Sequence, residues 1–159
     1  MTQPKIKLNL SLKKPLEDKI EQSDPKIYLC FDTETTGLHR KWAKIIQIAW
    51  ILFDQDYNII SKQEYLINHH DINPNRILDT QHIHGISYER ILHYGLDVFS
   101  VLKHFYQDFK KSEIVLGHNI DFDMAMVTNH GLKYGFQFSN LMDKRELICT
   151  LKMGHQFIK

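Results

Sequence analysis

Phe31-Asp32-Thr33-Glu34-Thr35-Thr36-Gly37-Leu38 is the stretch on which the reading of this chain turns. It closes the run Ile27-Tyr28-Leu29-Cys30-Phe31, a short and wholly apolar segment that predicts a central strand buried on both faces. Side chains alternate in direction along a strand, so Asp32 and Glu34 project together from its end. Two carboxylates held close repel each other and resist losing water. Placed at the end of an apolar strand they cost stability unless a cation joins them, and hard ions such as Mg²⁺ or Mn²⁺ prefer oxygen ligands. Asp32, Thr33, Thr35 and Thr36 also suit a plain turn before Gly37, and this stretch alone leaves both readings open.

Working outward, residues 1–25 are rich in Lys, Pro, Glu and Asp and predict a polar extension before a single domain over residues 26–159. Leu8, Leu10 and Leu12 alternate with polar residues there and predict a short edge strand. After the motif, Lys44–Asp54 and Ile59–Asn68 are rich in β-branched and aromatic residues, with Gln55–Asn58 as a polar turn, which predicts a hairpin. Residues 68–95 predict a loop with short helical pieces, Asn73-Pro74 and Gly85 acting as breakers. Ser87 caps a helix through about His93 that Gly95 ends. Over Asp97–Lys110, Val98, Val101, Leu102, Phe105, Tyr106 and Phe109 form a one-sided helical stripe. Glu113–Gly117 predicts a short buried strand. A helix follows from near Asp121, with Phe122, Ala125 and Met126 inward, ending at Gly131 or Gly135. Glu146–Thr150 predicts a last strand, with one more helix begun after it. The fold class expected is α/β: three antiparallel strands, then parallel strands, with flanking helices.

Composition narrows the function classes. The chain has 159 residues and 18.9 kDa, with 43% hydrophobic and 25% charged residues, enough for one globular core. A formal net charge of +1 gives no general basic attraction for nucleic acid, so any such binding must come from a local site. Cys30 and Cys149 form no CxxC pair, which argues against disulfide or zinc frameworks. No apolar run approaches a membrane span and no secretory leader is evident, so a cytoplasmic protein without a membrane partner is expected. The histidines at His82, His84, His69 and His70 lack partner cysteines and read as solvated loop residues. Lys13-Lys14, Lys110-Lys111 and His39-Arg40-Lys41 read as solvated faces. The last of these directly follows the first motif, where it is also placed to meet phosphates.

A second stretch, Leu116-Gly117-His118-Asn119-Ile120-Asp121-Phe122-Asp123, again ends an apolar strand and opens a helix. Acids suit a helix's first turn because of its dipole, but capping does not require His118-Asn119 before it. Together with Ile83-His84-Gly85-Ile86-Ser87 between the two motifs, this wording, order and spacing resemble the DEDD 3′→5′ exonucleases. The branch resembled is the DnaQ-like one, which includes the proofreading subunit of bacterial DNA polymerase III. The resemblance covers about residues 27–151.

The resemblance implies a ribonuclease-H-like fold and hydrolysis of phosphodiesters at 3′ ends, DNA favoured, with two Mg²⁺ or Mn²⁺ ions. It assigns catalytic and metal-binding roles to Asp32, Glu34 and Asp123, leaving Asp121 as a helix-start residue. It places backbone at Thr33, Thr35, Thr36, Gly37 and Leu38 against the terminal nucleotide, Thr36 and Leu38 lining its sugar and base. His84 is either near the site or a structural turn residue. His118 and Asn119 are expected to fix the strand-to-helix junction, with Asn119 also against substrate. The implied partners are a single-stranded or frayed 3′ end and a DNA polymerase. The family's third motif, a His with an Asp about five residues later, is expected after a segment like Cys149–Phe157 and is not found before Lys159. A fragment with weak or no activity of its own is therefore expected. A non-catalytic binding module on the same fold is the alternative.

Overall fold

The computed structural model describes residues 25–157 of the chain. Residues 1–24, with the alternating leucines, lie outside the described residues. β1 (Ile27–Thr35), β2 (Ile45–Asp54) and β3 (Ile59–Asn68) form an antiparallel meander, and β5 (Ile114–Gly117) and β6 (Glu146–Cys149) extend it in parallel from β1. With the two-residue β4 (Leu96–Asp97) beside β3, the six strands run in the order β4-β3-β2-β1-β5-β6. The antiparallel start and parallel continuation agree with the sequence reading, and β1 is central.

Burial of β1 on both faces is not what forms. Leu29, Phe31, Thr33 and Thr35 are buried, whereas Cys30 and Asp32 are exposed. Helices α3 (Val98–Lys111), α4 (Ile120–Lys133) and α5 (Phe138–Met142) cover one face. Within the described residues the other face is open around β1, where Cys30, Asp32, Ala49, Ile51, Lys62 and Glu64 line a cleft of about 530 Å³. An unbroken apolar run does not reveal this, because Tyr28 and Cys30 are apolar on either account.

The helical stripe behaves as its period demands. Val98, Val101, Leu102, Phe105 and Phe109 are buried against Leu29, Phe31, Trp50 and Phe138. Asp97 caps α3 by accepting the Ser100 N–H at 2.9 Å. Its inner surface also carries Asp108, whose carboxylate accepts the Trp50 indole N–H at 3.0 Å and pairs with Lys111 at 2.7 Å. These bonds make the charge tolerable at 3% exposure.

Three details differ from expectation. Asn73-Pro74 starts a helix instead of breaking one. In α1 (Pro74–His84) Asn73 accepts the Asn75 N–H and Pro74 occupies the first turn, where its missing N–H costs nothing. The inward face of α4 is rotated, burying Met124, Met126 and Val127 while Phe122 and Ala125 are half-buried. The helix α5 was not foreseen, its five residues being too few for periodicity to show. The helix capped by Ser87 forms as α2 (Tyr88–Tyr94), and Thr150–Phe157 forms α6.

Gly95 ends α2 in a tight place. A Cβ there would lie 2.4 Å from the Ile91 carbonyl oxygen and 3.0 Å from the Asn68 backbone nitrogen. Both obstacles are backbone and cannot step aside. Gly95→Ala is therefore expected to destabilise the chain by ~1–3 kcal/mol, read from urea unfolding. An unchanged midpoint would show that α2 shifts freely against β3.

Candidate active site

Both acidic motifs meet at the C-terminal end of β1. Pleating sends Asp32 and Glu34 to the open face and Thr33 between them to the covered face. Asp123 arrives from the first turn of α4, and one of its carboxylate oxygens accepts two bonds from Thr33, from the backbone N–H at 3.0 Å and the hydroxyl at 2.5 Å. Residues 90 positions apart are thereby locked together. The turn into α4 is made by Asn119, whose φ of 61° is left-handed, a conformation that asparagine tolerates better than most residues. Its side chain makes no cap hydrogen bond, so the expected side-chain tie is absent. His118 does tie the junction, its Nδ1 lying 3.1 Å from the Thr150 hydroxyl at the start of α6.

The electrostatics set this cluster apart. Burial pushes Asp123 up to about 6, the Thr33 hydroxyl opposes the rise, and the charge of Asp32 adds to it. Burial also raises Asp32, against the lowering influence of His118 beside it. Glu34 is raised by burial and then by Asp32. Asp32 is thus the charge felt by both of the others. Asp121, at the other acid of the second motif, is exposed and pairs with Lys152 at 2.6 Å, as suits a helix-start residue.

The donor chemistry fits a hard divalent ion: all-oxygen ligands, each raised by burial, with Asp32 further raising Glu34 and Asp123. As placed, no group of three His, Cys, Asp or Glu side chains among the described residues surrounds a single ion position. Asp123 instead gives an oxygen to Thr33.

The remaining predicted site residues divide. Thr35 and Thr36 are buried; the Thr35 hydroxyl donates to the Gly37 carbonyl at 2.8 Å, and the Thr36 hydroxyl accepts the Lys44 N–H at 2.9 Å. Gly37 has φ 144°, which favours glycine, and Leu38 beyond it is 87% exposed. Those residues form a rim directly after Glu34. His84 is engaged elsewhere, with Nε2 2.9 Å from the Thr80 hydroxyl and Nδ1 accepting the Ile86 N–H at 3.0 Å, so its bonds close the end of α1. Sequence reading missed His118 as the neighbour that lowers Asp32; its place just after a β-strand parallel to β1 was the available signal. It also misread His69 as solvated. His69 is buried, its Nε2 bonds the Ile45 carbonyl at 2.7 Å, and its ring lies 5.6 Å from that of His130.

A central β1 flanked by antiparallel β2 and parallel β5, with acids converging from the strand end and the following helix, defines a ribonuclease-H-like exonuclease fold. Residues 29–159 match the exonuclease family model RNase_T, and the chain belongs to that family. The DnaQ-like resemblance of its motifs agrees with this. The chain is 27% identical over 115 residues to a PolC-type DNA polymerase III of Pediococcus pentosaceus, covering 69% of this chain and 7% of that protein. The corresponding protein of Staphylococcus haemolyticus is 29% identical over 126 residues, covering 78% and 8%. Among solved structures, E. coli exonuclease I in complex with a dA16 oligonucleotide aligns with a TM-score of 0.63 at 21% identity, covering 77% of this chain and 27% of that one. Exonuclease I in complex with the inhibitor BCBP gives 0.68 at 20%, covering 82% and 30%. The chain thus spans less than a tenth of these polymerases and under a third of the exonuclease I chain. Exonucleases of this fold generally use divalent metal ions. Among the described residues no helix is long and apolar enough to cross a membrane.

Proposed function

We propose that this chain carries a 3′→5′ exonuclease site acting on DNA ends, in proofreading or repair beside a DNA polymerase. The observation that carries the proposal is the meeting of the two motifs at Thr33, which lies between Asp32 and Glu34 on β1 and bonds Asp123 through its N–H and hydroxyl. The PolC-type relatives support the association with a polymerase. Asp32, Glu34 and Asp123 are the residues that would hold two Mg²⁺ or Mn²⁺ ions. The chemistry such ions would supply is an activated water and neutralisation of charge at the departing 3′-oxygen. Thr33 fixes the direction of Asp123, and His118 offsets the charge of Asp32. Thr36, Gly37 and Leu38 form the rim on which the terminal nucleotide rests, with Asn119 at the opposite junction; His84 shapes the turn below. Domain limits follow the same reading, with residues 1–25 as an extension outside the nuclease fold.

A second reading is favoured by one observation, the capture of Asp123 by Thr33 without a three-acid ion position as placed. On that reading the chain is a non-catalytic binding module. Fluorescence anisotropy with Mn²⁺ present separates the two. The exonuclease reading expects a single-stranded oligodeoxynucleotide with a free 3′-hydroxyl to bind at least tenfold tighter than a circular one of equal length. Equal binding of the two would leave only the module. A matched RNA oligomer in the same assay decides the sugar preference, which rests on contacts to the 2′-hydroxyl.

A further inference from the structure

The loop between β1 and β2 holds a second cleft, of about 510 Å³, that begins at Thr36 and Gly37 and continues past Leu38 to Trp42 and Arg76. No acid lines it. Trp42 is 71% exposed, an unusual place for an indole that packs against no core. Its position is nevertheless built. The Trp42 and Ala43 N–H groups both donate to the His39 carbonyl at 2.9 Å, and Thr36 and Lys44 exchange bonds across the base of the loop. Asn129 of α4 donates to the Arg40 carbonyl at 3.1 Å, and the Arg40 guanidinium lies 5.9 Å from the Phe122 ring centre. The loop is therefore pinned to the helix that delivers Asp123.

Around the indole the charge is positive. Lys41 Nζ lies 5.0 Å from its ring centre, and Arg76 opens into the cleft from the first turn of α1. The nearby carboxylate of Asp71 is already paired with Lys44. An exposed aromatic ring flanked by cations is the pattern that binds single-stranded nucleic acid, bases stacking on the ring while phosphates meet the cations. We infer that Trp42 and Arg76 form a subsite for the second nucleotide from the 3′ end. Its base stacks on the exposed indole of Trp42, and its phosphate meets Arg76. The subsite rests on the exonuclease reading, because the cleft starts from the rim where the terminal nucleotide would lie.

The two tryptophans make the test direct, since Trp50 is 2% exposed and Trp42 alone can be reached. The probes are thymidine 5′-monophosphate and the 5′-phosphorylated thymidine dinucleotide with a free 3′-hydroxyl, each titrated with Mn²⁺ present. The dinucleotide is expected to quench Trp42 emission, and the quench to vanish in Trp42→Phe, which keeps only Trp50. By calorimetry, Trp42→Ala is expected to weaken the dinucleotide roughly tenfold, as loss of one base–aromatic stack does, and to leave the mononucleotide unchanged. Trp42→Phe should restore most of the affinity. Dinucleotide affinity unchanged in Trp42→Ala, or both ligands weakened alike, would refute the subsite and leave the exonuclease reading standing. If neither probe nor a longer oligonucleotide binds the unaltered chain, the exonuclease reading itself fails and the subsite goes with it.

Discussion

Asp32→Ala is expected to abolish Mn²⁺ binding in a calorimetric titration of this chain, where the unaltered protein releases heat. Asp32 raises both Glu34 and Asp123, whereas no comparable influence links those two to each other. Removing it takes out the shared member and leaves one acid on the open face and one bonded to Thr33. The same substitution should act in the opposite direction when chelator is present. Without an ion, three partly dehydrated carboxylates are a source of repulsion, and deleting the central one raises the melting temperature. With Mn²⁺ the unaltered chain gains what binding supplies, and the order of the two melting temperatures reverses. If the unaltered chain binds no Mn²⁺ and melts at the same temperature with or without it, the carboxylates do not form a metal site.

Stability against pH carries the second large effect. Burial, opposed by the bond to the Ile45 carbonyl, depresses His69 from 6.5 to about 4. The folded chain therefore resists protonating a group that the unfolded chain protonates freely. That contribution is intact above about pH 6.5 and is lost as pH falls toward 4, a change of ~3 kcal/mol. Burial moves Asp123 the other way, from 3.8 to about 6, so its contribution is intact below about pH 4 and is lost as pH rises toward 6, again by ~3 kcal/mol. Asp32 and Glu34 add to the second slope and His130 to the first. In metal-free buffer the two slopes oppose each other over nearly the same interval. Asp123→Asn keeps an oxygen for Thr33 and removes one slope. Urea unfolding should find this variant more stable than the unaltered chain by ~3 kcal/mol at pH 7, and the advantage should vanish near pH 4. Parallel curves for the two proteins would show that Asp123 ionises as an ordinary surface acid.

The two predictions use groups of different legibility. Asp32 and Glu34 stand out in the sequence because acids ending an apolar strand are locally unreasonable, and such conflicts mark sites, whereas Asp123 suits its helix's first turn and stands out only through the resemblance of its motif. His69 does not stand out. Its neighbours His70 and Asp71 are polar, and only the packing of the β3 end against α4 buries it beside His130. Trp42 is the reverse case, an aromatic residue that the loop leaves in water.

What the sequence determined by itself is whatever depends on neighbours a few residues apart. Strand alternation put Asp32 and Glu34 on one side, the stripe from Val98 to Phe109 defined α3, and Ser87 and Gly95 bounded α2. These follow from backbone geometry that each segment carries with it. Tertiary structure alone decided that, among the described residues, one face of β1 is open, that Thr33 holds Asp123, that His118 stands beside Asp32, and that Asn73-Pro74 begins a helix with Ile77 buried. Each of those depends on which distant segment arrives, and burial and charge respond to everything within a few ångströms regardless of its place in the chain.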